Sequence, residues 1–451
     1  MIPKTDILSS DFTTTPYWWK DFSPPADPPD AGLPEAVDVL VVGAGYTGTS
    51  CALTLAEAGV EVLALDAGGL GHAASSRSGG QITGGVNIGK NPTGKNPLSG
   101  AAEKSRKAAM LRECADGMTH LDQLIERYRI ECGYHRTGRL TGFWVPEHYT
   151  QWERGLDELN ELTNAGAYMV PRERMREEIA TDRYFGGMII TRAGHLQPAQ
   201  FYGGLLAAAR SHGARLHGAT EVTHVARAQN GFRVETTRGT ILARLVVLAT
   251  NGYPSAVVGH LRRQIIPVAT HMIATEELPK GLARSLIPHN RAVAETRRVT
   301  NHYRLLPDGR RLLFGGRARF VPTEERTTAR LLRKAMVDRF PQLSQVKISH
   351  SWGGNVAMTF DYLPHIGRIE GMHFAMGCNG SGVSMMTYLG HRVARKIIEG
   401  SNAVPSSYDS GSMPGHFLYN GNPWFMSIVG SWFQFRDAVD LRRANKRSMA
   451  R

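Results

Sequence analysis

Val37-Asp38-Val39-Leu40-Val41-Val42-Gly43-Ala44-Gly45-Tyr46-Thr47-Gly48 is the stretch on which the reading of this chain turns. Its first half is apolar except for Asp38, the pattern of a strand buried on both faces of a parallel sheet. Its second half is a G-x-G-x-x-G turn. Gly43 permits the tight turn, Gly45 lets the backbone approach a pyrophosphate, and Gly48 lets the following helix lie close to the strand. Small and apolar residues from Thr49 to Ala58 predict that helix, Gly59 closes it, and Val60 to Asp66 reads as a second buried strand. Asp66 is placed to accept hydrogen bonds from the hydroxyls of an adenosine ribose. The unit is β-α-β, with the helix N-terminus offering free N–H groups and a positive dipole to phosphates. Expected cofactor contacts here are Gly43, Ala44, Gly45, Tyr46, Thr47, Gly48, Asp66 and Ala67.

The fingerprint by itself fits NAD and FAD equally. Gly68 to Gln81 favours the flavin, because a small, polar, glycine-rich run can lie against a planar ring system, where a nicotinamide enzyme more often moves straight into its next βα unit. Ala74, Ser75, Ser76, Arg77, Gly79, Gly80 and Gln81 are the expected contacts in it. Two later segments complete the site. Leu248-Ala249-Thr250-Asn251-Gly252 ends a buried strand in small residues, giving Ala249, Thr250 and Gly252, with Val222 earlier in the same β-rich stretch. In Gly377-Cys378-Asn379-Gly380-Ser381-Gly382-Val383 a strand turns into a helix, so that Gly380, Ser381, Gly382 and Val383 present amides to a flavin pyrimidine carbonyl and a dipole to reduced flavin.

Outward from these segments, 451 residues exceed what one core usually serves, and two domains are expected. The fold class is α/β: a Rossmann-type FAD-binding domain of residues 36–130, 196–262 and 350–400, and a second α+β substrate domain on a mixed sheet, residues 131–195 and 263–349. Residues 1–35 read as an extended, proline-rich arm anchored by Tyr17-Trp18-Trp19, and 401–451 as an aromatic and basic extension. The formal charge of +13 is spread along the chain apart from its C-terminal end, so it reads as solvated surface, and no nucleic-acid partner is expected. Cys51, Cys114, Cys132 and Cys378 show no C-x-x-C spacing, so neither a disulfide framework nor a metal site is expected. With no signal-peptide pattern and no apolar run of membrane-spanning length, a cytoplasmic protein is expected.

These residues carry a resemblance. Gly43 to Gly48, Ala74 to Gln81, Thr181-Asp182-Arg183-Tyr184, Gly194-His195-Leu196-Gln197-Pro198, Phe340-Pro341-Gln342-Leu343 and Leu363-Pro364-His365-Ile366-Gly367-Arg368 resemble the D-amino-acid-oxidase-like FAD-dependent oxidoreductase superfamily. Within it, the chain looks most like the gamma-glutamylputrescine oxidases. The resemblance spans about Val37 to Glu399 and implies FAD, a discontinuous cofactor domain, and a second domain over the flavin. Three departures stand out. Some relatives link flavin to a cysteine where this chain has Ala357, so non-covalent FAD is expected. A Gly-x-Ser-Gly-His-Gly run of relatives is here Gly377 to Gly382, with Ser381 for the histidine. Asp66 stands where many relatives carry Glu.

The resemblance implies oxidation of a small-molecule amine or amino acid by hydride transfer to flavin, giving an imine that hydrolyses, with molecular oxygen or an electron carrier as acceptor. FAD carries the hard step, so no dedicated catalytic base is named. Candidates for the substrate pocket are His271, Tyr303, Arg317, Trp352 and Met358, with Arg317 suited either to placing positive charge near reduced flavin or to binding a substrate carboxylate. Two other readings stand beside the oxidase. A membrane-surface dehydrogenase would use the aromatic stretch Trp424 to Phe433 and the basic end, although packing of those aromatics against the body is the expected use. A tRNA-acting flavoprotein has only the net charge in its support.

Overall fold

The structure is a computed structural model describing residues 7–22, 32–83, 101–253, 257, 259–317, 319, 323–411 and 413–449. Prolines 24, 25, 28 and 29 of the arm lie outside the described residues. Two large sheets organise the chain. The first is built on Ala36–Val42, which pairs in parallel with Val62–Leu65 on one side and Gly239–Leu248 on the other. Arg215–His217 extends it in parallel beyond Val62–Leu65, and Met372–Met376 pairs in parallel with Gly239–Leu248. Val39, Leu40, Val41, Leu63 and Ala64 have no exposed surface, as expected where helices cover both faces of a parallel sheet. Helices Tyr46–Glu57, Pro198–Ser211 and Thr387–Glu399 pack together over it.

The second sheet is mixed and runs in the order Leu8–Thr13, Ile348–Met358, Ile266–Thr275, Leu312–Gly316, Asn301–Leu305, Ala292–Glu295, Arg139–Gly142, Gly187–Ile190, Ala167–Val170. Its far face carries helix Glu325–Arg339, with Ile273, Tyr303 and Phe314 packed against Ala329, Leu332 and Met336. Its near face carries Met272, Leu313 and Trp352, which meet Tyr17 and Trp18.

Two boundaries differ from the sequence reading. Leu8–Thr13, taken as extended arm, is an edge strand pairing in parallel with Ile348–Met358. That long strand, placed partly in the cofactor domain by a boundary at 350, pairs along its length with Ile266–Thr275 of the second sheet. Both differences share a cause: strand pairing depends on a partner distant in sequence, and neither segment has an alternation strong enough to announce its sheet. The helix expected to follow the Gly377 to Val383 turn begins with a wider π turn, Gly382–Met386, before Thr387–Glu399.

Candidate functional site

The glycine turn is built as its residues require. Gly43 has φ +98°, and a Cβ there would lie 2.9 Å from the Ala249 carbonyl oxygen. Its N–H donates to the Leu65 carbonyl at 2.7 Å, and the Ala249 N–H donates to the Val42 carbonyl at 2.8 Å, so the turn is tied to both neighbouring strands. Gly48 brings the helix so close that a Cβ would stand 1.8 Å from the Gly43 oxygen. Asp66 completes the cradle, its carboxylate accepting from the N–H groups of Ala44 at 3.0 Å and Gly68 at 3.1 Å.

The loop after Asp66 is fixed from several directions. Trp18 Nε1 donates to the Ser78 carbonyl at 2.8 Å, Trp19 Nε1 donates to Ser76 Oγ at 2.9 Å, and Trp352 Nε1 donates to the Arg77 carbonyl at 2.8 Å. The buried Arg304 guanidinium donates to the Gly79 carbonyl at 2.8 Å and the Leu196 carbonyl at 2.7 Å. The two remaining segments meet through Asn251, whose Oδ1 accepts from the N–H groups of Gly377 at 3.1 Å and Cys378 at 3.2 Å. The tryptophan cluster expected to anchor the arm therefore also holds the loop after Asp66 in place.

One cavity of about 1320 Å³ joins these parts, running from Gly43, Asp66 and Val222 to Arg317, Met358 and Trp432. Sites for one small ligand usually span roughly 300–1,000 Å³; this volume suits a dinucleotide with a substrate beside it. The fit to FAD rests on the glycine cradle a Cβ would fill, the carboxylate at the end of the second strand, and the amide-rich loop opening the helix at Gly382.

Of the expected cofactor contacts, Gly43, Gly45, Tyr46, Thr47, Asp66, Ala67, Ala74, Ser75, Arg77, Gly79, Gly80, Gln81, Val222, Ala249, Thr250, Gly380, Gly382 and Val383 line this cavity. Ala44, Gly48, Ser76, Gly252 and Ser381 stand behind it. Their work is spacing and support: Gly252 lets its segment approach Asn355 and Ala357, where a Cβ would meet the Asn355 oxygen at 3.1 Å.

Arg317, Trp352 and Met358, expected in the substrate pocket, line the cavity. His271 and Tyr303 do not, which corrects the sequence reading. Both lie on the far face of the second sheet, His271 two residues from Ile273, and Tyr303 with its hydroxyl 2.6 Å from that of Tyr184. The residues that reach the cavity are their neighbours, Thr270, Met272 and His302, because successive side chains of a strand point to opposite faces.

Sequence reasoning missed His302, Arg139, Arg304 and Asn251. A parity argument on Asn301–Leu305 would have exchanged Tyr303 for His302; the other three have no local signal. Burial, with Arg139 and Arg317 nearby, pushes the His302 imidazole down to about 4, so it is neutral near pH 7. Among the described residues, Arg317 hydrogen-bonds only the Met358 sulfur, at 3.6 Å, lies near Tyr362, and pairs with no carboxylate.

At the rim, the aromatic stretch expected to pack on the body divides. Met426 and Phe433 are buried against Ile266 and Met358, and Asp437 anchors the helix Met426–Met449 by accepting from the N–H groups of Arg298 and Val299. Trp424, Ile428, Trp432 and Phe435 are exposed.

A glycine-turn β-α-β unit, an acidic residue ending the second strand and a mixed sheet roofing one long cavity define a two-domain flavoenzyme. The chain belongs to the FAD dependent oxidoreductase (DAO) family, whose model matches residues 38–396. It is 31% identical over 416 residues to the gamma-glutamylputrescine oxidoreductase of Escherichia coli K12, covering 90% of this chain and 93% of that protein. In fold it is similar to an L-proline dehydrogenase from P. horikoshii, with TM-score 0.69 and 21% identity over 83% of this chain and 98% of that one. A glycine oxidase from Geobacillus kaustophilus gives TM-score 0.66 and 21% identity, covering 85% of this chain and 100% of that one. The cofactor is FAD, and the Ala357 methyl offers no sulfur for a covalent link. The enzyme is an FAD-dependent oxidoreductase acting on the carbon–nitrogen bond of amines or amino acids. Among the described residues, no helix is long and apolar enough to cross a membrane.

Proposed function

We propose that this enzyme oxidises an amine that also carries a carboxylate, either a polyamine conjugate such as gamma-glutamylputrescine or a secondary or N-methyl amino acid, with oxygen as acceptor. The observation that carries the reading is Arg317, a cavity-lining guanidinium with a thioether as its only side-chain partner among the described residues. A cation left without an anion in a shielded site is stabilised by a ligand that brings one. FAD, when bound, would supply the two-electron acceptor for the hydride that leaves the substrate α-carbon. Arg317 then orients the substrate, while Met272, Trp352 and Met358 keep water from the reacting carbon. His302, held neutral, can accept a hydrogen bond from the amine without adding a charge that would repel an ammonium. The imine product hydrolyses in water.

The test is anaerobic bleaching of the yellow holoenzyme by polyamine conjugates, N-methyl amino acids and D-amino acids, with peroxide measured under air. Absence of bleaching across the panel defeats the proposal.

A second reading, a dehydrogenase delivering electrons at a membrane surface, draws support from the exposed Trp424, Ile428, Trp432 and Phe435, of which Trp432 lines the cavity, with exposed Arg442, Arg443 and Lys446 further along the helix. Bleaching without peroxide, together with sedimentation on anionic vesicles, would favour it.

A further inference from the structure

Arg139 opens the strand Arg139–Gly142, beside Ala292 and Ile190. It is only 5% exposed and lines the same cavity. Its Nε and Nη1 are buried with no hydrogen-bond partner, and no carboxylate among the described residues pairs with it. This is an unusual state for a guanidinium, because a buried cation is ordinarily paired and hydrogen-bonded. Other buried arginines of the second domain show the ordinary state: Arg339 is clasped by Glu295, and Arg291 by Glu178.

Arg139 is also not isolated from the substrate end. It, Arg317 and His302 line one cavity, and both guanidinia are near enough to His302 to act on it electrostatically. Ala294, opposite His302 in the sheet, lines the cavity as well, so the near face is continuous from His302 towards Arg139. His302 in turn faces the flavin loop, where a Cβ on Gly79 would lie 3.4 Å from its ring. Two cations without an anion among the described residues therefore lie near one neutral ring in this cavity.

We infer that Arg139 is a second carboxylate-binding position in the substrate cavity, so that the preferred substrate is an amine bearing two acid groups, one received by Arg317 and one by Arg139. This rests on the amine-oxidation reading and deepens it by choosing among amines. The two acid groups neutralise charge that the fold leaves uncompensated, and an amine between them lies near His302. Monoacid amines would leave Arg139 bare and bind more weakly.

The test uses purified holoenzyme and two acids that cannot be oxidised at a C–N bond, glutarate and butyrate, each titrated while flavin absorbance is followed. Glutarate is expected to bind at least about tenfold more tightly than butyrate, the scale of one charge-assisted contact. Arg139→Gln should remove that preference and leave butyrate binding unchanged, whereas Arg317→Gln should weaken both acids. Arg139→Lys should recover part of the preference.

Because the charge has no partner among the described residues, Arg139→Gln should melt, without ligand, at the same temperature as the unsubstituted enzyme or higher. A lower melting temperature or loss of flavin would show that Arg139 holds the protein together, and would overturn the inference. So would a glutarate preference that survives the substitution, equal weakening of both acids, or no response to either acid in the unsubstituted enzyme. Failure of amine oxidation itself shows separately, as a holoenzyme that binds glutarate but that no amine bleaches.

Discussion

Replacing Gly48 by alanine tests the cofactor cradle at its narrowest point. The added methyl would stand 1.8 Å from the Gly43 carbonyl oxygen and 3.1 Å from Val41 Cγ1, where ordinary contact begins at 3.4 Å. The obstacle is backbone, so no side chain can turn aside. The helix Tyr46–Glu57 must retreat from the turn by about 1.6 Å to restore contact distance. That movement takes its free N–H groups away from the pyrophosphate position and strains packing against Thr387–Glu399, where a Cβ on Gly390 would lie 2.1 Å from the Thr47 oxygen.

Overpacking of a tight interior typically costs about 1–3 kcal/mol, and each ~1.4 kcal/mol lost from binding weakens it tenfold. FAD affinity should therefore fall by roughly ten- to a hundredfold. The assay is reconstitution of apoprotein followed by flavin fluorescence quenching, with the ratio of visible to protein absorbance after purification as a check. Gly59→Ala is the control: its φ is +76° but nothing lies within 4 Å of a Cβ, so it should cost about 1 kcal/mol of stability and leave FAD affinity unchanged. A Gly48→Ala protein that bound FAD as tightly as the unsubstituted one would refute the assignment of this turn to the pyrophosphate.

Arg317→Gln should raise KM for carboxylate-bearing amines by roughly ten- to a hundredfold, with a much smaller change for an amine lacking the acid group, measured by steady-state kinetics on the matched pair. Denaturation of the holoenzyme in acid should release all of the yellow colour into solution, because Ala357 cannot form a thioether; colour retained on the precipitate would contradict this. Trp18→Phe should lower FAD affinity without unfolding the protein, since it frees the Ser78 carbonyl from its Nε1 donor while preserving most of the ring's packing; equilibrium FAD titration and near-ultraviolet circular dichroism read the two effects apart. Stability should fall as the solution is acidified. Burial lowers His120 to about 3 and His302, His373 and His391 to about 4 from the usual 6.5, so the unfolded chain binds more protons below pH 6.5. The stability contributed by their neutral forms is fully present above 6.5 and is lost as the pH falls toward the folded values. Melting temperature of the apoprotein across this range checks it, and a flat profile would show that these imidazoles are not held neutral by burial.

Much of the cofactor end was legible from residues 37 to 66, because the turn, the helix start and the closing carboxylate are all local. The backbone there can adopt one compact arrangement, and the residues that need freedom of φ or close approach are the glycines themselves. The substrate end was far less legible. Its lining comes from strands whose partners are set by the fold, as Ile266–Thr275 pairs with Ile348–Met358 and Ala292–Glu295 with Arg139–Gly142, and a shift of one position along a strand sends a side chain to the opposite face. That is why His271 and Tyr303 were exchanged for Thr270, Met272 and His302, while Arg317 and Trp352 were found.

The sequence by itself determined a nucleotide-binding β-α-β unit, three glycine-bearing segments aimed at one flavin, and membership of an oxidoreductase superfamily. Only the tertiary structure decided that the N-terminal arm joins the second sheet, that its tryptophans hold the loop after Asp66, and that Arg139 and Arg317 share a cavity with His302 and have no anion among the described residues. The physical reason is range. Turn geometry and helix capping are settled within about a dozen residues by local sterics and hydrogen bonds, whereas the pairing or isolation of a buried charge depends on which distant strands close over it.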